Sequence, residues 1–101
     1  MQEFRFSATG VYGCTQCPRL ETAAEIRRLS ADGCDVVGMT GMPEASLAAE
    51  LGIRYSGLSL VINKAAGLDN QSISLDQLQA VLDEGMGRIV ELLKIALKTL
   101  A

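Results

Sequence analysis

The rhythm of apolar and polar residues along this chain changes several times, and each change marks an element. Residues 10–16 read as a short strand that ends near Pro18. Thr22-Ala-Ala-Glu25 then carries a capping-box pattern, in which the threonine hydroxyl serves the backbone of Glu25 and the glutamate reaches back. A helix over 23–31 follows, and Asp32-Gly33 stops it. Residues 34–40 (CDVVGMT) form a nearly continuous apolar run of strand length. Such a run suits a strand covered on both faces, so 36–39 is expected at or near the centre of a parallel sheet. Pro43 falls in the first turn of a second helix, where its missing N–H costs nothing. That helix runs to Leu51 and ends at Gly52. A third strand is predicted over 54–62, where Leu58, Leu60 and Ile62 alternate with Ser59 and Val61.

Residues 63–72 read as a polar, glycine-containing loop, and Ser74-Leu-Asp-Gln77 is a second capping box. It opens the longest helix, to about Leu100. Leu75, Leu78, Leu82, Met86, Ile89, Leu93 and Leu97 recur at three- and four-residue spacing and are read as its core-facing stripe, while Gly85 and Gly87 weaken the helix locally. The order β-α-β-α-β-α predicts an α/β fold with a mainly parallel sheet and right-handed crossovers. In open sheets of this kind ligands gather at the carboxyl ends of the strands. The loops there, 17–21, 39–43 and 63–67, are expected on one edge.

Composition narrows the picture. A length of 101 residues is that of a single domain, 1–101. The net charge is -3 and no basic run is longer than Arg27-Arg28, which argues against a nucleic-acid partner. The apolar runs are too short to span a bilayer and the N-terminus lacks an apolar signal core, so a cytoplasmic, membrane-free protein is expected. The cysteines are Cys14, Cys17 and Cys34, an odd count that argues against a disulfide framework. Cys14-x-x-Cys17 has the spacing of a metal pair, but with no histidine in the chain four ligands are hard to assemble, and no metal is expected.

Three blocks carry a resemblance. Pro18-Arg-Leu-Glu-Thr-Ala-Ala-Glu25, Val37-Gly-Met-Thr-Gly-Met-Pro-Glu44 and Leu60-Val-Ile-Asn-Lys-Ala-Ala-Gly67 resemble the C-terminal part of the purine nucleoside phosphorylase and methylthioadenosine phosphorylase family. The likeness runs from about Gly10 to the end and leaves 1–9 as an unmatched leader. It implies a β-α-β-α-β-α fragment of that family's three-layer fold. It also implies phosphorolysis of a 6-oxopurine nucleoside, such as S-methyl-5′-thioinosine, to a free purine and a sugar 1-phosphate. Inorganic phosphate is the co-substrate and no cofactor is expected.

Carried across by position, the resemblance gives each residue a role. Glu21 accepts the N1–H of the base. Asn63, placed here as the catalytic residue, contacts N7 and O6, because a carboxamide both donates and accepts. Leu20 lines the base and sugar pocket, Met39 packs on the ribose, and Thr40 holds phosphate through its hydroxyl and backbone N–H. Each has a plainer alternative: Glu21 as a partner of the helix dipole, Met39 as core, and Thr40 and Asn63 as turn formers. Adenine-type members tend to place aspartate at the Asn63 position, so Asn63 with Glu21 resembles the 6-oxopurine arrangement.

The chain departs from the family's pattern in two ways. Cys17 stands where glycine is usual, and the family's phosphate loop and Arg-His phosphate pair have no counterpart. The expectation is therefore a piece of a phosphorylase that self-associates as the family does. A non-catalytic purine-binding module and a truncated structural remnant stay open as alternatives.

Overall fold

Two short parallel strands frame the first part of the chain. Strand β1 (Tyr12–Cys14) leads to helix α1 (Ala23–Ala31), strand β2 (Val36–Gly38) and helix α2 (Glu44–Glu50), and helix α3 (Leu75–Leu100) comes last. The computed structural model describes residues 5–16, 18–70 and 74–100. The chain divides into two compact units. One holds Arg5–Gly57 and Lys64–Asn70, and the other holds Leu58–Asn63 and α3.

In the first unit the strands pair Tyr12 with Val36, Gly13 with Val37 and Cys14 with Gly38. Asp35 extends the pairing with both backbone and side chain. Its N–H donates to Val11 O at 2.9 Å, and its carboxylate accepts from the Val11 N–H at 2.8 Å. Gly13 is buried, and a Cβ there would meet Cys34 Sγ at 3.0 Å and Leu29 Cδ2 at 3.4 Å, so β1 lies close against the end of α1.

Local chemistry accounts for both ends of α1. The Glu25 N–H donates to Thr22 Oγ1 at 3.2 Å and the Thr22 N–H donates to Glu25 Oε1 at 3.0 Å, which completes the capping box. At the other end Gly33 N–H reaches Ser30 O and Cys34 N–H reaches Leu29 O, both at 3.0 Å. Helix α2 closes in the same way, through Gly52 N–H to Ala49 O at 3.2 Å and Ile53 N–H to Ala48 O at 2.9 Å. This paired closure needs one left-handed residue, and Gly33 (φ 95°) and Gly52 (φ 67°) supply it. Pro43 stands as the N-cap of α2, one position ahead of the first turn. Ser74 and Gln77 exchange bonds of 3.1 and 3.2 Å where α3 begins.

Three expectations are corrected. Residues 54–62 form no strand; among the described residues β1 and β2 are the only strands. The predicted side-chain alternation survives in part, since Leu60 and Ile62 are half-buried and Val61 is exposed. A strand exists only through hydrogen bonds to a neighbour, and neither β1 nor β2 offers its backbone to this segment. The run at 36–39 is accordingly not central: the sheet has two strands, and Val36 and Val37 are half-buried rather than covered on both faces.

The stripe of α3 is the third. Leu78, Leu82 and Ile89 are half-buried and Gly85 is buried, whereas Leu75 (83%), Leu93 (46%) and Leu97 (65%) are exposed. Leu58–Asn63 shares the unit with this helix. Six residues reach about 20 Å when extended, against roughly 39 Å of helix, so this segment by itself cannot cover the whole stripe. The segment approaches the helix closely at Gly85, where a Cβ would lie 2.5 Å from Leu60 Cδ2. The small core shows elsewhere too. Ile26 on α1, 5% exposed, is the one buried apolar side chain larger than glycine among the described residues. No helix among them is long and apolar enough to cross a membrane.

Candidate functional site

Parallel pairing brings the carboxyl ends of β1 and β2 to one edge, and the pairing continues one step beyond the strands. The Thr15 N–H donates to Gly38 O at 2.8 Å. The chain leaving β1 toward Glu21 and the chain leaving β2 through Met39 and Thr40 therefore start side by side.

Glu21 sits in the turn just before Thr22, the N-cap of α1, and is half-buried. Thr15 Oγ1 donates to Glu21 Oε1 at 2.5 Å. The turn itself is fastened by Arg19, whose guanidinium donates to both Glu25 oxygens, at 2.7 and 3.2 Å. That guanidinium, and then the Thr22 backbone amide, hold the Glu25 carboxyl down to about 2. One glutamate thus closes the helix cap and anchors the turn that presents another.

Tyr12 does the corresponding service for Thr40. Its Oη accepts the Thr40 N–H at 3.3 Å and lies 3.4 Å from Thr40 Oγ1. The ring needs the glycines around it, because a Cβ at Gly38 would lie 2.7 Å from Tyr12 Cζ and one at Gly41 would lie 3.1 Å from Cε1. Met39 is half-buried and, with Cys14, Thr15, Gln16 and Met42, lines an open depression of about 380 Å³. That volume is within the range of small-molecule sites, roughly 300–1,000 Å³.

The expected residues fall into two groups. Glu21, Met39 and Thr40 all belong to the first unit and follow strand ends that lie side by side, and Leu20, beside Glu21, is 80% exposed. Asn63 ends the Leu58–Asn63 segment of the other unit and is exposed. Cys17, and with it the Cys14-x-x-Cys17 pair, lies outside the described residues, as do 1–4 of the leader and 71–72 of the polar loop. Cys14 and Cys34 are half-buried free thiols, and among the described residues no group of three or more His, Cys, Asp or Glu could hold a metal.

Sequence reasoning missed Thr15 and Tyr12. Thr15 offers one signal, a hydroxyl residue directly after a strand and a few positions before the key glutamate. For Tyr12 the signal is the Gly38 and Gly41 pair, too small for a strand end unless a ring lies over it.

The fold and this edge define an α/β protein with its candidate chemistry at the carboxyl ends of parallel strands. The profile of the phosphorylase superfamily matches residues 4–98, and the chain belongs to that family. It is 57% identical over 84 residues to a probable S-methyl-5′-thioinosine phosphorylase of Pseudomonas syringae pv. tomato, covering 83% of this chain and 34% of that protein. It is 52% identical over 87 residues to a protein of the same description from Xanthomonas campestris pv. campestris, covering 85% and 35%. It is 40% identical over 90 residues to a probable 6-oxopurine nucleoside phosphorylase of Moorella thermoacetica, covering 89% and 35%. The chain spans about a third of the length of these curated relatives.

Proposed function

We propose that this chain supplies the purine-facing part of a phosphorylase that cleaves a 6-oxopurine nucleoside, such as S-methyl-5′-thioinosine, with inorganic phosphate. The observation that carries the reading is that Glu21, Met39 and Thr40 lie in the chain segments leaving one edge of a parallel strand pair, in a chain of the phosphorylase superfamily. In the reaction a phosphate oxygen bonds to C1′ of the sugar as the C1′–N9 bond breaks. The bonding pair leaves with the purine, which then gains a proton. Glu21, an acceptor-only carboxylate, takes the N1–H of a 6-oxopurine; adenine offers a lone pair there instead. Asn63 supports the charge that develops on N7 and O6 as the base departs. Met39 packs on the sugar, Leu20 lines the pocket and Thr40 contributes to phosphate binding. The family's three-layer fold, assembly into homo-oligomers, a cytoplasmic setting and catalysis without a cofactor belong to the same proposal.

A second reading, purine binding without turnover, is favoured by one observation. The Thr40 N–H, which the first reading gives to phosphate, is already bonded to Tyr12. The two readings part on phosphate-dependent release of hypoxanthine from S-methyl-5′-thioinosine, measured with the chain alone and mixed with the N-terminal part of a relative. Release supports the catalytic reading, binding of hypoxanthine without release supports the second, and absence of both overturns the two together. Glu21→Ala is expected to weaken hypoxanthine binding by about 1–3 kcal/mol, and Asn63→Asp to shift preference toward 6-aminopurines.

A further inference from the structure

We infer that Thr15 is the positioning residue that sets the purine preference of this site, by holding the Glu21 carboxylate in the orientation that accepts an N–H. The inference rests on the reading of Glu21 as the base-recognising group.

Thr15 is itself fixed. Its N–H is bonded to Gly38 O at 2.8 Å, so its backbone belongs to the sheet edge. Its hydroxyl carries a single proton and faces two acceptors, Glu21 Oε1 at 2.5 Å and Gly38 O at 3.3 Å. The nearer, charged acceptor takes it. Glu21, by contrast, lies in an irregular turn, and a glutamate side chain has three rotatable bonds of its own. The Arg19–Glu25 pair and the Thr22 cap anchor the backbone on either side of Glu21; the Arg19 guanidinium attracts the Glu21 carboxylate through its charge, but neither group hydrogen-bonds to it. Thr15 is what joins that carboxylate to the sheet.

The consequence is a division of labour between two oxygens. Oε1 has its donor within the protein, and Oε2 has no hydrogen-bond partner among the described residues. A carboxylate held in this way presents one lone-pair edge to a ligand. It favours a base that offers N1–H and disfavours one that offers a lone pair, because its orientation cannot relax to avoid the repulsion. A carboxylate free to rotate would bind more weakly and discriminate less, since ordering it on binding carries an entropic cost. Thr15 also lines the depression shared with Met39, which places the fixing bond beside the surface a ligand would occupy. Thr15→Val removes the hydroxyl at nearly constant volume and leaves Glu21 intact, and Thr15→Ser keeps the hydroxyl.

The test titrates the full chain and its Thr15→Val, Thr15→Ser and Glu21→Gln variants with hypoxanthine and with adenine by calorimetry. The Glu21 carboxyl carbon is followed by NMR in the same samples. Thr15→Val is expected to lower hypoxanthine affinity about tenfold, to bring the hypoxanthine-to-adenine ratio toward one, and to shift and broaden the Glu21 resonance. Thr15→Ser is expected to restore all three. If Glu21→Gln abolishes the preference while Thr15→Val leaves both the preference and the resonance unchanged, the positioning role is overturned and the purine reading stands. If Glu21→Gln has no effect, or the parent chain binds neither base, the purine reading fails and the role given to Thr15 fails with it. The NMR signal then shows separately whether the Thr15–Glu21 bond forms.

Discussion

Glu25 shows how much a single side chain organises here. It closes the cap of α1 and receives both ends of the Arg19 guanidinium, and its carboxyl is held down to about 2 from an ordinary value of 4.5. A group with a depressed folded-state value contributes stability that is fully present above its unfolded value and is lost as pH falls through the window from 4.5 toward 2. Thermal melts followed by circular dichroism between neutral pH and pH 2 are expected to show this acid-side loss, and Glu25→Gln to flatten it while lowering stability at neutral pH. Gly38 is a second case. Replacing it with alanine would drive a methyl group into the Tyr12 ring, costing about 1–3 kcal/mol as overpacking does. The same change is expected to separate Tyr12 from Thr40, which faster amide exchange at Thr40 would reveal.

At the scale of elements, the glycines of α3 separate propensity from packing. Both read in sequence as local weaknesses, but their surroundings differ. Gly87 faces open space, so Gly87→Ala is expected to stabilise α3 by about 0.8–1 kcal/mol, the helix-propensity difference alone. Gly85 accepts the Leu60 side chain, so Gly85→Ala must displace Leu60 and is expected to lose that gain or reverse it. Denaturant unfolding of the two variants side by side would check the contrast in sign. The capping boxes at Thr22 and Ser74 and the glycine closures at Gly33 and Gly52 were legible because they are short-range bonds between residues a few positions apart. The strand over 54–62 was not, because alternation records which side chains turn inward but not whether another backbone is there to pair.

For the whole molecule, the exposed apolar side chains dominate. Leu92, Leu93, Ile95, Leu97 and Leu100 on the last part of α3 are all 40% exposed or more, as are Leu51, Ile53 and Tyr55. Apolar surface on this scale seldom persists on a soluble monomer. Self-association is expected, with an apparent mass above 10.7 kDa in light scattering that rises with concentration. Leu93→Lys with Leu97→Lys should lower it, since each places a charge on the exposed stripe. A concentration-independent mass of 10.7 kDa would count against the expectation.

The sequence by itself determined the helices, their caps and stops, and the three blocks that place the chain in its family, because all of these depend on residue identity at short separation. The family resemblance also singled out Leu20, Glu21, Met39, Thr40 and Asn63 as site candidates, and the order of parallel strands put the loops of Glu21, Met39 and Thr40 on one edge. The tertiary structure alone decided which partners those residues keep. The Tyr12 hydroxyl comes from β1, 28 positions from Thr40, and the Thr15 hydroxyl from the residue just after that strand. The Tyr12–Thr40 bond exists only because β1 and β2 lie in one particular register, and the same pairing holds Thr15 at the sheet edge through its N–H to Gly38 O. Burial, too, was a tertiary matter. The period of α3 specified the face to be covered, and the extent of that cover depended on how much chain packs against it.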